Sequence, residues 1–265
     1  MIIQSAIINV MIEAIRKVSR DLLRDFGEVE HLQVSKKGPS GFVSVIGIRI
    51  ERSLHEELKK ARPDYGFVFK ESGVIENVDR HNIWVINPLD GIINFLHGIP
   101  HFSISIGLMR DEDPIAGVIY QPLTDEMFWA ERGGGAFVNG RRLRVSARRK
   151  MKESIISTGI SSYQGQLKHQ YFLRQLAVVL NETTGVCQFG STSLDLAYVA
   201  AGRYDGFWKM NLKPWNIVAG IIIVKEAGGY ITEISGKHSE LRSENILAAN
   251  DHIHSPLGIL LRSID

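Results

Sequence analysis

Residues 84–98 read WVINPLDGIINFLHG, and the way this stretch divides decides the fold. Residues 82–87 (NIWVIN) are apolar and β-prone, which predicts a buried strand. Asn87-Pro88 closes it, because proline has no N–H to give to a ladder. Asp90-Gly91 then turns the chain toward a helical segment. Gly190 to Ser193 and Trp215-Asn216 repeat this strand, turn and helix design. Helix N-termini expose unpaired N–H groups and a positive dipole end, so they suit phosphate. A carboxylate at such a turn can hold Mg²⁺, which bridges phosphate oxygens. Any α/β protein supplies single turns of this kind, so the surrounding sequence has to decide.

Working outward, Ile7, Met11, Ile15, Val18 and Leu22 recur at helical spacing and predict a helix over 5–25. A second helix is expected over 53–62, with Ser53 as N-cap and Glu56 three residues on. Strands are expected at 66–69, then at 102–110 and 114–121 around Asp111-Glu112-Asp113, then at 126–131 and 136–145. Asn139-Gly140 is a tight-hairpin signal. Beyond this the rhythm changes. Helices over 166–181, 193–202 and from Pro214 to Gly228-Gly229 alternate with strands near 154–158, 205–208, 229–234 and 245–248. The pattern is α/β (α+β). It divides near 146–153 into an N-terminal half, 1–148, and a C-terminal α/β half, 149–265. No flexible linker separates them, so 1–265 is read as one unit.

Composition narrows the function. Hydrophobic residues make up 44% of the 265, and 31 basic residues against 29 acidic give a net charge of +2. That balance does not point to nucleic acid or a membrane surface. The longest apolar run, Ile217 to Val224, is far short of the ~20 residues of a membrane span. The N-terminus lacks the basic region and cleavage site of a signal peptide. The single cysteine, Cys187, forms no internal disulfide and fits a reducing cytoplasm.

Five segments, in order, carry a resemblance. WVINPLDGIINFLHGIPHFSISIG resembles the W-[IV]-[IV]-D-P-[IL]-D-G-T-x-N-F signature of the inositol monophosphatase family. LKPWNIVAG resembles that family's second signature, which contains W-D. GPSGFVSVIGIRIERSLHEEL resembles its N-terminal metal loop, and FKESG its E-E-S/D-G loop. GSTSLDLAYVAAGRYDGFW is similar to its bacterial members, the extragenic suppressor SuhB group in particular. The resemblance implies a layered αβαβα sandwich of the sugar-phosphatase type, commonly a dimer. It also implies Mg²⁺-dependent hydrolysis of a phosphomonoester such as inositol 1-phosphate, by in-line attack of a metal-activated water.

Carried over residue by residue, the resemblance places metal ligands at Asp90 and the Leu89 carbonyl, with Glu71 beside them. It places phosphate contacts at Gly91, Gly190 and Thr192. Other positions depart from it. The metal-loop Glu falls on Lys70, the first signature Asp on Asn87, and the water-holding Thr on Ile92. The W-D Asp falls on Asn216, the N-terminal Asp on Gly47, and the acidic residue touching substrate hydroxyls on Lys209. Asn offers an oxygen but no charge, and Lys offers only donors. Mg²⁺ binding is therefore expected to be weakened or lost, and turnover small. Lys70 and Lys209 then supply the missing positive charge, so a phosphorylated ligand could bind without Mg²⁺. The competing class is a regulatory protein with an RNA or transcription-complex partner, for which Arg141, Arg142, Arg144, Arg148, Arg149 and Lys150 form a basic stretch. A solvated hairpin and its exit is the preferred reading of that stretch. Gly133-Gly134-Gly135 lacks the P-loop pattern and reads as a turn. His97 and His101 lack a third zinc ligand. Cys187 and the four tryptophans read as packing.

Overall fold

A computed structural model describes residues 4–28, 38–160, 166–238, 241 and 244–264. Helix α1 (Ala6–Gly27) starts where the Ser5 hydroxyl accepts the Ile8 N–H at 3.2 Å, satisfying one orphan donor of the first turn. It buries the predicted stripe, Met11, Ile15, Val18 and Leu22. Helix α2 (Gly38–Ala61) begins well before Ser53, so Ser53 is a mid-helix residue and not an N-cap. The stretch that resembles a metal loop is helical for the same reason. Ile46, Ile50, Leu54 and Leu58 are all buried, and this continuous stripe overrides the local capping signal.

Strands β1 (Tyr65–Phe69), β2 (Gly73–Ile75), β3 (Asp79–Asp90), β4 (Ser103–Arg110), β5 (Asp113–Gln121), β6 (Glu126–Glu131), β7 (Gly135–Val138) and β8 (Arg141–Arg142) form an eight-stranded sheet in the order 2-1-3-4-5-6-7-8. β3 runs parallel to β1 and antiparallel to β4. The short helix α3 (Ile92–Leu96) follows β3. Asn139 and Gly140 both take positive φ between β7 and β8, as a tight hairpin requires. β9 (Ile155–Gly159), β10 (Gly185–Cys187), β11 (Gly206–Met210), β12 (Tyr230–Thr232) and β13 (Asn245–Ala249) form a second sheet in the order 10-9-11-13-12. Helices α4 (Gln166–Glu182), α5 (Thr192–Ala200), α6 (Pro214–Glu226) and α7 (Asp251–Arg262) complete the chain. β2, β10 and α7 were not expected from the sequence.

Three cores stack these elements into αβαβα layers. The first joins α1 and α2 to one face of the large sheet through Phe67, Trp84, Ile86, Ile104, Ile106 and Leu108. The second holds α5 and α6 between the sheets. The third lies under α4 and α7, around Trp208, Phe172 and Leu257. Strand periodicity sorts β4 cleanly: Ile104, Ile106 and Leu108 face the first core, while Ser103, Ser105 and Gly107 face the middle layer. That polar face of β4 backs the site. Among the described residues, no helix is long and apolar enough to cross a membrane.

Candidate functional site

The end of β3 and the start of α5 meet where the sequence placed the site. Gly91 takes φ +88, and a Cβ there would come within 2.8 Å of the His101 carbonyl oxygen; glycine is therefore required on both counts. Gly190 takes φ +86 and lies against the Asn94 amide. Asn94 sews the two turns together, donating to the carbonyls of His101 at 2.7 Å and Phe189 at 2.6 Å.

Asp90 is the hub of this junction and is buried. Its Oδ2 accepts the Ser191 hydroxyl at 2.8 Å and the Ser193 N–H at 2.7 Å. Its Oδ1 accepts the Asn87 amide at 3.3 Å. The carboxylate thus serves as the anion at the N-terminus of α5, where the helix dipole favours negative charge. Ser103 and Ser105, from the middle-layer face of β4, reach Ser191 and Ser193 at 3.3 and 3.4 Å.

Lys70 Nζ donates to the Leu89 carbonyl oxygen at 2.9 Å. The expected metal-facing carbonyl therefore holds an ammonium. Burial lowers the pKa of Lys70, and the carboxylates of Asp90, Glu71 and Glu51 act in the opposite direction. Glu51 is itself buried. It holds the turn after β1 by accepting the N–H groups of Glu71 and Ser72 at 2.8 and 3.0 Å and the Ser72 hydroxyl at 2.7 Å. Gly47, one turn before Glu51 on α2, leaves room for Glu71: a Cβ there would meet Glu71 Cγ at 3.1 Å.

Lys209 Nζ donates to Thr192 Oγ1 at 2.7 Å. Its stem lies against Gly159, where a Cβ would approach Lys209 Cε at 2.9 Å. Beneath it, Asp195 is buried and accepts the Ser157 hydroxyl at 2.6 Å. Burial pushes its carboxyl up to about 7, against the pull of Ser157 and Lys209. Asn216 is engaged at the cap of α6, where its Oδ1 accepts the Lys213 N–H at 3.0 Å. Ile92 packs against the first core, so this position orients no water.

A divalent ion does not fit these residues. Lys70 fills the Leu89 carbonyl, and both Asp90 oxygens already accept protein donors. Asn87 Oδ1 is buried without a partner, and it is a neutral amide oxygen that brings no charge to a metal. Among the described residues, no group of three or more His, Cys, Asp or Glu side chains converges to hold a metal. The structure thus joins Lys70 to Leu89, Asn87 to Asp90, and Lys209 to Thr192, and it sets Glu71 against Gly47. Ser191, Ser193, Asn94, Glu51 and Asp195 were not singled out from the sequence. Signals for them were present: Asn94 sits on the signature Asn, Ser191 and Ser193 lie in the turn after Gly190, and Glu51 and Asp195 are charges set among apolar helix positions.

The comparisons agree with this architecture. Residues 3–263 match the model of the inositol monophosphatase family. The chain is 47% identical to an inositol-1-monophosphatase of Rhizobium meliloti, covering 96% of this chain and 95% of that protein. It is 35% identical to the Nus factor SuhB of Pseudomonas aeruginosa, covering 92% and 91%. A crystal structure of the extragenic suppressor protein SuhB from Bartonella henselae superposes with a TM-score of 0.91 at 48% identity, covering 98% of this chain and 99% of that one.

Proposed function

The chain belongs to the inositol monophosphatase family, and from that premise we propose that its phosphatase-type cleft binds a small phosphomonoester without Mg²⁺ and hydrolyses it little or not at all. One observation carries the reading: the Lys70 ammonium sits on the Leu89 carbonyl oxygen at 2.9 Å. A tethered cation on that oxygen leaves no place for an ion that would lower the pKa of a water. Asn87 cannot take a proton, and Ile92 cannot aim a nucleophile. Loss of one member of a coupled catalytic set costs roughly 10⁴-fold, and here several are replaced together. Binding keeps better support. Lys209, Thr192 and the turns at Gly91 and Gly190 offer donors that need no metal.

Release of phosphate from inositol 1-phosphate in millimolar Mg²⁺ tests the catalytic half. The expected rate is about 10⁴-fold or more below that of a relative with all its carboxylates, and comparable turnover overturns the reading. Calorimetry with sugar phosphates tests the other half. Equal heats with and without EDTA are expected, and absence of binding overturns it.

A second reading, an RNA or transcription-complex partner, draws on the relatives named Nus factor SuhB and on the basic stretch. Arg148 is bonded to Asp205 at 3.2 Å, Lys150 to Glu153 at 3.0 Å, and Arg142 lies over Phe137. Arg141, Arg144 and Arg149 remain exposed. If they serve a partner, changing all three to Glu abolishes salt-dependent RNA retention; unchanged retention removes this reading. Cytoplasmic residence and a homodimer complete the proposal. The dimer is supported by exposed Ile93, Ile99 and Phe189 grouped beside Asn94.

A further inference from the structure

The cleft holds a cation of its own, the Lys70 ammonium seated on a backbone oxygen at the end of β3. Asp90, Glu71 and Glu51 bring three carboxylates whose charges act on Lys70. The Leu89 carbonyl is the direct acceptor at 2.9 Å. Independently, Asn87 Oδ1 is fully buried with no hydrogen-bond partner, next to the Asp90 carboxylate that its own Nδ2 bonds at 3.3 Å. A buried amide oxygen without a donor is costly.

We propose that Lys70 is a covalently tethered cation that holds the Leu89 carbonyl and excludes divalent metal from it, so that replacing the ammonium by a carboxylate frees that oxygen for a metal ion. The inference rests on the proposed function only in reading the cleft as metal-free. An ammonium suits the site physically. It is compact, presents three donors and carries one charge on a flexible stem. It costs no binding equilibrium, because it never leaves. Its single charge also matches a weakened ligand set. Gly47, Asn87 and Asn216 bring no carboxylate, so a doubly charged ion would have fewer anions than it requires. The position of Glu71 agrees. Its side chain lies in the space above Gly47, and its charge acts on Lys70 beside that of Asp90.

Mn²⁺ binding followed by electron paramagnetic resonance reads this directly, on the full chain. Wild type is expected to leave added Mn²⁺ free. Lys70→Glu is expected to bind it at least tenfold more tightly, with a thermal midpoint that rises in Mn²⁺ and falls back in EDTA. Asn87→Asp with Lys70 in place is expected to gain nothing, because the ammonium still holds the Leu89 carbonyl. The proposal is overturned if folded Lys70→Glu binds no better than wild type, or if Asn87→Asp alone binds as well as Lys70→Glu. Should Lys70→Glu not fold, wild type still decides. In native reductive methylation read by peptide mass spectrometry, Lys70 is expected to react at least tenfold more slowly than exposed Lys60; equal rates overturn the tethered-cation assignment. Failure of sugar phosphates to bind in calorimetry, with Mn²⁺ still gained by Lys70→Glu, would end the ligand reading and leave this one standing.

Discussion

Asp90 shows what one carboxylate does when its expected ion has no place. The signature made it legible as a metal ligand, but its actual partners, Ser191 and Ser193, lie about a hundred positions away in the chain. No local pattern reports a contact of that range. The substitutions at Lys70 and Asn87 were legible, and so was their chemistry. The seat of the Lys70 ammonium on Leu89 depended on side-chain geometry. If Asp90 now serves the fold, Asp90→Ala should destabilise it whatever the metal content. The change strips the acceptor from a buried hydroxyl and a helix-terminal N–H, at about 1–3 kcal/mol for each unsatisfied donor. Urea unfolding in EDTA is expected to give a loss of about 2–4 kcal/mol. A neutral result would mean that water or another side chain takes over the N-terminus of α5.

At the level of elements, α6 explains both a success and a limit of sequence reading. Its apolar run, Ile217 to Val224, is buried along its whole length, as expected of a helix covered on all sides. The sequence announced its start at Pro214 and its stop at Gly228, which takes φ +86. It did not reveal that α6 is sandwiched between two sheets, because periodicity describes one element at a time. Two strand glycines carry that information. A Cβ on Gly107 in β4 would meet Val218 Cγ1 at 2.3 Å, and one on Gly117 in β5 would meet the Ala219 oxygen at 2.6 Å. Both positions let α6 approach the sheet closely. Gly107→Ala is expected to cost about 1–3 kcal/mol by overpacking, read from denaturant midpoints. Gly185→Ala, where a Cβ meets nothing within 4 Å, serves as the near-neutral control. The three missed elements have local causes. β2 and β10 have only three residues each. α7 carries Pro256 inside it, a residue that argues against helix until the burial of Ile253, Leu257 and Leu261 is known.

At the scale of the molecule, the layered order follows from which faces are apolar, and the five ordered motifs made that arrangement legible. The electrostatics of the middle layer were not, because they depend on burial. Asp195 stands in the first turn of α5 at 1% exposure. Lys209 and Ser157 favour its charged form, while burial and Asp90 oppose it, and the carboxyl is lifted from 3.8 to about 7. Between those two values the folded chain keeps a proton that the unfolded chain has released. Stability contributed by Asp195 is therefore fully present below pH ~4 and is lost as pH rises toward 7. Asn is a neutral isostere of the protonated side chain and can still accept from Ser157, so Asp195→Asn should keep the acid-side stability throughout. Unfolding free energies of the two proteins are expected to coincide near pH 4. They should then diverge up to pH 7, with wild type the less stable, and run parallel above it. Because the other titrating groups are shared, the difference curve isolates Asp195. A difference that stays flat across this range would mean that Lys209 and Ser157 hold the carboxylate charged, with the positive charge of Lys209 offset inside the fold.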